Sequence, residues 1–162
     1  MTLNKSKLIV LSFTVIIAVG ISTSTVIGKK QDEQYAINDD TYKQAEQAYK
    51  QGQFDLAIEQ VTTLIKDDPT NEKLNTLAAN AAYDSSQYEL AAKHFQAALD
   101  RNPHNIEKSI FMLNLAISYY ESKNYERAKV IFEHLQQNKY RSKDMPNYQE
   151  VVGSYLQKLS EM

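Results

Sequence analysis

Cysteine is absent from this chain of 162 residues. That excludes a disulfide scaffold, a thiolate zinc site, a cysteine nucleophile and thiolate-held iron–sulfur clusters. Tryptophan is absent as well, and glycine and proline number only 4 and 3. So little glycine and proline excludes collagen-like and linker-like chains and argues against a turn-rich all-β fold. The formal net charge of −2 leaves no bulk basic field for nucleic acid. There is no glycine-rich phosphate loop. The three histidines, His94, His104 and His134, never pair at the i, i+4 spacing of a helical metal site. Adjacent acids at Asp39–Asp40 and Asp67–Asp68 read as helix-end solvation or capping. No cofactor, no metal and no enzyme chemistry is therefore expected.

What is present begins with an uncharged run of 21 residues, Leu8 to Gly28, bracketed by Lys5, Lys7, Lys29 and Lys30. A helix rising ~1.5 Å per residue needs roughly 20 apolar residues to cross a bilayer. Residues 1–28 are read as a single-pass transmembrane signal-anchor segment. The rival readings are a secretory signal cleaved after Ala18-Val19-Gly20, and a buried core helix. Lysines on both flanks leave the orientation open. A short N-terminus commonly stays inside, which places the soluble part outside the cytoplasm of a bacterial envelope. Residues 29–40 form a polar tether.

From there a repeat governs the chain. At an offset of 34 residues Ala45 pairs with Ala79, Ala48 with Ala82, and Tyr49 with Tyr83. Phe54 likewise pairs with Tyr88, Ala57 with Ala91, Pro69 with Pro103, and Asn71 with Asn105. A third copy follows at 37: Ala79 matches Ala116, Tyr83 matches Tyr120, Ala91 matches Ala128 and Phe95 matches Phe132. Three extra residues enter near Ile106–Lys108. The coarse pattern predicts helices over 40–51, 54–67, 72–85, 88–101, 107–122 and 125–138. A seventh, about 146–160, is drawn from Tyr148, Val151, Val152, Tyr155, Leu156 and Leu159. Pro146 suits its first turn, and Asn147 with Glu150 suits a capping box.

The stretches Gln51–Pro69, Gln87–Pro103 and Asn124–Leu135 resemble the tetratricopeptide repeat, a helix–turn–helix unit of 34 residues. The resemblance covers residues 39–138. It implies an all-α, right-handed superhelical array of about three repeats, 39–71, 72–105 and 109–140, within a domain at 41–162. Helix 146–160 would cap it. Tryptophan is missing from the first helices, and the family's Leu-Gly pair reads Gln44-Ala45, Ala78-Ala79 and Leu115-Ala116. Alanine keeps a close helix approach.

The same resemblance makes the first helix of each repeat line a concave groove. Its candidates for protein binding are Tyr42 and Tyr49, then Asn80 and Tyr83, then Ile110, Leu113, Ile117 and Tyr120. Asp39, Glu46, Lys50, Lys73, Thr76, Asp84 and Glu121 share that face. Tyr49, Tyr83 and Tyr120 would form a ladder of rigid amphipathic contacts, or ordinary packing between first helices. Ile110, Leu113 and Ile117 would form an apolar patch. Some family members clamp an acidic tail with lysines, asparagines and an arginine. Here Tyr42, Glu46, Ile110 and Asn114 stand where lysine, asparagine, lysine and arginine are needed, so that role is not expected.

The function expected is a non-enzymatic, membrane-anchored interaction scaffold or assembly factor that takes a peptide or helix of a protein partner in the groove. A structural subunit packing through its last helix, and a secreted binding module after signal cleavage, are the alternatives. Oligomeric state is left open by the sequence.

Overall fold

The computed structural model describes Asp32 and residues 34–162. The candidate span at 8–28 lies outside the described residues, as does the start of the tether. The chain divides into two units, Met1–Asp40 and Thr41–Met162. In the first, residues 34–40 are helical, and Gln34 Nε2 donates to Asn38 Oδ1 at 2.8 Å. Among the described residues no helix is long and apolar enough to cross a membrane.

The second unit is built of helices. Its first helix, α1, covers residues 41–50. It is followed by α2 (Phe54–Asp67), α3 (Glu72–Asp84), α4 (Tyr88–Arg101), α5 (Ser109–Glu121), α6 (Tyr125–Gln137) and α7 (Tyr148–Ser160). A short 3-10 turn, Pro103–Glu107, precedes α5. The helices pair as α3–α4 and α5–α6, and α7 packs on α6; α1 pairs with α2 through Ala48 with Ala57 and Tyr49 with Phe54.

The same turn joins the helices of every pair. Gln53 N–H donates to the Ala48 carbonyl at 2.9 Å, Gln87 to Ala82 at 2.7 Å, and Asn124 to Tyr119 at 2.7 Å. One residue earlier, Gly52, Ser86 and Lys123 donate to Tyr49, Tyr83 and Tyr120 at 2.9–3.0 Å. This pair of bonds is the Schellman motif, which satisfies carbonyls the helix end would leave unpaired. It needs one residue with positive φ. Gly52 has +74°, Ser86 +61° and Lys123 +64°. The end of α6 repeats the device, with Lys139 at φ +52° and Tyr140 N–H donating to the Leu135 carbonyl at 3.1 Å.

The links between pairs differ from one another. After α2, the Asn71 side chain caps α3 by accepting from the Lys73 and Leu74 amides at 3.1 and 3.2 Å. Asp68 accepts from Asn71 Nδ2 and Thr70 Oγ1, both at 3.1 Å. The bond from Asn71, chiefly, holds the Asp68 carboxyl below the usual range. After α4, the three extra residues are taken up by the 3-10 turn, which Asn102 caps. Asn105, in phase with Asn71, caps nothing. It is fully buried and donates instead to Glu72 Oε1 and the Ala98 carbonyl, at 3.1 and 3.2 Å. After α6, Tyr140 stands in the phase of the missing proline, and its hydroxyl donates to the Ile106 carbonyl at 2.8 Å. The last helix begins at Tyr148, two residues beyond Pro146. Asn147 makes no side-chain cap, so the expected capping box with Glu150 does not form.

The core follows the repeat register. Ala45, Ala79 and Ala116 are fully buried, as are Ala57, Ala91 and Ala128. A methyl group at each of these positions lets the helix axes close up. Val61, Phe95 and Phe132 fill the next layer, also fully buried. Helix α5 is buried on every side: Phe111, Met112, Leu113, Leu115, Ala116, Ile117, Ser118 and Tyr119 are all inside. A helix apolar all round has neighbours all round. Helix α7 supplies the last of them. Tyr148 is 1% exposed and donates its hydroxyl to the Ser109 carbonyl at 2.7 Å. Tyr155 stacks on Phe132, with ring centroids 4.9 Å apart.

One buried polar pair ties α3 to α4. Asn75, 1% exposed, donates from Nδ2 to the Pro69 and Asn71 carbonyls at 2.9 Å. Its Oδ1 must therefore accept, and His94 Nδ1 carries the proton across the 2.8 Å contact. Burial, and then the nearby Lys93 ammonium, push the His94 pKa below its ordinary value.

The turns and the buried pair can each be tested by unfolding. Lys123→Gly should raise the unfolding free energy by about 1 kcal/mol, by relieving a left-handed backbone at a non-glycine residue. Gly52→Ala meets no atom within 4 Å, so its loss, about 1 kcal/mol, is conformational alone. Urea unfolding measures both, and a destabilised Lys123→Gly contradicts the turn analysis. His94 is neutral in the folded chain and titrates near 6.5 when unfolded. The stability it supports is thus present above about pH 6.5 and is lost as pH falls towards its depressed folded value. Unfolding between pH 7 and 5 should show a slope of at most about 1.4 kcal/mol per pH unit from this group. His94→Gln should remove it.

Candidate functional site

The first helices α1, α3 and α5 share one face, and the sequence candidates divide on it into two groups. Tyr42, Tyr49, Asn80, Tyr83, Ile110 and Tyr120 are half-buried and reach the surface. Leu113 is fully buried and Ile117 is 8% exposed. The expected apolar patch of Ile110, Leu113 and Ile117 is therefore corrected. Its side chains lie in the core that α7 closes, where Ile110 also packs. Sequence spacing put them on the first-helix face, but α7 occupies the place a further first helix would take.

The tyrosines do structural work at their roots. Each one stands five residues before the aromatic that opens the partner helix of its own pair. Tyr49 and Phe54 have ring centroids 5.8 Å apart, Tyr83 and Tyr88 5.8 Å, and Tyr120 and Tyr125 5.5 Å. Such tilted and edge-on pairs contribute about 0.5–1.5 kcal/mol beyond their burial. Phe54, Tyr88 and Tyr125 thus clamp their own turn, and Phe54 also packs against the cluster that holds Ala81 of the next pair. The Tyr120 ring also meets Tyr155 edge-on at 4.9 Å.

Two tyrosine hydroxyls on this face reach acids. Tyr49 donates to Asp84 Oδ2 at 2.7 Å, across from α1 to α3. Burial, then this bond and the Asp84 charge, push the Tyr49 pKa up to about 12. Tyr155 donates to Glu121 Oε1 at 3.4 Å, and burial followed by the Glu121 charge raises it to about 12 as well. Tyr83 is raised by burial first, then by Tyr88, Asp84 and Glu121. These tyrosines are therefore neutral donors at physiological pH.

Between α1 and α3 the face holds a recess of about 300 Å³. Tyr42, Glu46 and Tyr49 line it from α1, and Glu72, Thr76 and Asn80 from α3. Tyr42 donates to Glu46 Oε1 at 3.2 Å. Thr76 Oγ1 is buried and has no hydrogen-bond partner among the described residues. A polar atom left so costs about 1–3 kcal/mol unless something else satisfies it. No group of three or more His, Cys, Asp or Glu among the described residues is placed to hold a metal.

Two contributors were missed from the sequence. Tyr155 lies 34 residues after Glu121, the repeat offset, so continuing the register of the first-helix face into α7 would have found it. Glu72 is the N-terminal residue of α3, and only the packing of α1 against α3 reveals it in the recess.

Stacked helix pairs of this length, closed by a single further helix, define an α-helical repeat array. Comparison with known proteins gives the kind of repeat. Residues 76–130 match the family model for the tetratricopeptide repeat. No curated protein matches the chain. Among solved structures the chain is similar to the first TPR of Spaghetti (RPAP3) bound to HSP90 peptide SRMEEVD. That likeness has a TM-score of 0.56 at 19% identity and covers 76% of this chain and 90% of that one. It is similar also to the Sgt2 TPR domain from Aspergillus fumigatus, with a TM-score of 0.59 at 20% identity, over 77% of this chain and 82% of that one. The array therefore has the all-α superhelical fold of tetratricopeptide repeats.

Stability separates the core candidates from the surface ones. Leu113→Ala should cost about 2–5 kcal/mol, whereas Asn80→Ala should change the unfolding free energy by less than about 1 kcal/mol. Equal losses in thermal or urea unfolding would contradict the assignment.

Proposed function

We propose that this chain is a non-enzymatic interaction module that holds an extended or helical segment of a protein partner on its first-helix face. The observation that carries the reading is the recess between α1 and α3, where the half-buried Tyr42 and Tyr49 supply rigid contact area. Tyrosine is enriched where one surface buries another, because its ring is amphipathic and loses little entropy. The bound peptide of the RPAP3 neighbour supports peptide capture by this fold. Residues 8–28, with no charge across 21 positions, would anchor the module in a membrane, with the array on the extracytoplasmic side of a bacterial envelope. As an anchored scaffold or assembly factor it would raise the local concentration of its partner at the membrane.

Photo-crosslinking in cells tests the reading. A photoreactive residue at Tyr83 should give one dominant partner band, and the same residue at the exposed Lys93 of α4 should not. Equal yields at both positions, or none at Tyr83, contradict groove binding. N-terminal sequencing of the mature chain tests the anchor: a start near Ile21 contradicts it.

A further inference from the structure

The ends of the first helices carry a row in which tyrosines alternate with carboxylates. Asp84 accepts from Tyr49, and Glu121 accepts from Tyr155. Tyr83 is next to Asp84 in the chain, and its ring packs edge-on against Tyr88; the Asp84 and Glu121 charges both help raise its hydroxyl. Asp84 and Glu121 are exposed, and neither makes an ion pair among the described residues. The adjoining recess is charge-balanced, since Lys50 and Lys73 line it together with Glu46 and Glu72. The row beside it is not.

One end of the row already holds a cation. Lys158 Nζ sits 4.8 Å from the centroid of the Tyr155 ring, whose hydroxyl reaches Glu121. A tyrosine with a carboxylate at its edge thus receives an ammonium group in this molecule. The cation–ring contacts among the described residues are this one and Arg127 on Tyr119. The Tyr83–Asp84 unit has the same ingredients and no cation of its own. Cations are attracted to ring faces, and the attraction adds to charge-assisted hydrogen bonds with carboxylates.

Building on the groove reading, we propose that the row Tyr49–Asp84–Tyr83–Glu121 binds lysine or arginine side chains of the partner segment. One cation seats against Tyr83 between Asp84 and Glu121, as Lys158 seats against Tyr155. The occupant is then a basic segment, opposite in charge to the SRMEEVD peptide of the RPAP3 neighbour. An acidic tail meets two uncompensated carboxylates here, and like charges set face to face suppress the wrong partner.

Fluorescence anisotropy on the full chain tests this with three labelled 12-residue peptides. They share one framework of leucine, alanine and tyrosine, and differ at four positions that are all lysine, all glutamine or all glutamate. A photoreactive residue at Asn80 reports groove occupancy independently of charge. The lysine peptide should bind at least tenfold more tightly than the glutamine peptide, and the glutamate peptide most weakly. Asp84→Asn combined with Glu121→Gln should weaken the lysine peptide at least tenfold and flatten its salt dependence. Both replacements keep a hydrogen-bond acceptor for the tyrosine hydroxyls, so the fold is retained. Glu89→Gln combined with Glu133→Gln, which removes two exposed charges from second helices, should leave binding within twofold. Equal binding of lysine and glutamine peptides, or equal loss in the control, overturns the inference. If the glutamine peptide crosslinks at Asn80 as well as the lysine peptide does, the charge inference falls and groove binding stands. If no peptide crosslinks at Asn80, both fall.

Discussion

No helix pair in this array can bury its own apolar face, and the rest of the structure depends on that constraint. Helix α5 states it most strongly, because eight of its residues are buried and they point in every direction. It is surrounded by α4, α6, the 3-10 turn and the ring of Tyr148 from α7. Burying a large apolar side chain stabilises by about 1.5–3 kcal/mol. A domain of this size has a net stability of only about 5–15 kcal/mol. Each helix pair is therefore stable only as part of the stack, and the end of the stack must be covered.

That constraint divides the tyrosines into a buried part and a surface part. The rings of Tyr49, Tyr83 and Tyr120 clamp the turn that joins each pair, and the hydroxyls of Tyr49 and Tyr155 reach Asp84 and Glu121. The repeat copies this aromatic clamp along the array. Because the rings are fixed from beneath, the outward face is pre-organised.

The repeat register was the legible part of the sequence. Alanines at 45, 79 and 116 and at 57, 91 and 128 marked the close helix contacts, and all six are fully buried. The insertion near Ile106–Lys108 was visible as a change of offset from 34 to 37, and it appears as the turn Pro103–Glu107. Periodicity within a helix says which residues share a face. It does not say whether another element covers that face. That is why Leu113 and Ile117 were read as surface, and why Tyr155 was overlooked. The capping box at Asn147 failed for a related reason: local pattern marked a helix start, while Tyr148, held by Ser109, set where the helix begins. The acids beside the tyrosines were visible singly, and their pairing across helices required the stacked geometry.

Removing α7 tests the shared-core account most directly. A chain ending at Lys143 loses Tyr148 and Val152 from the core, together with the ring that stacks on Phe132. The lost burial is about 5 kcal/mol or more, comparable with the whole stability of the domain. Light scattering and urea unfolding of this truncated chain should show aggregation, or unfolding at a much lower urea concentration than the full chain. A truncated chain that stays monodisperse and unfolds cooperatively near the full-length midpoint would contradict the account. It would make α7 a partner surface instead of the closing element of the core.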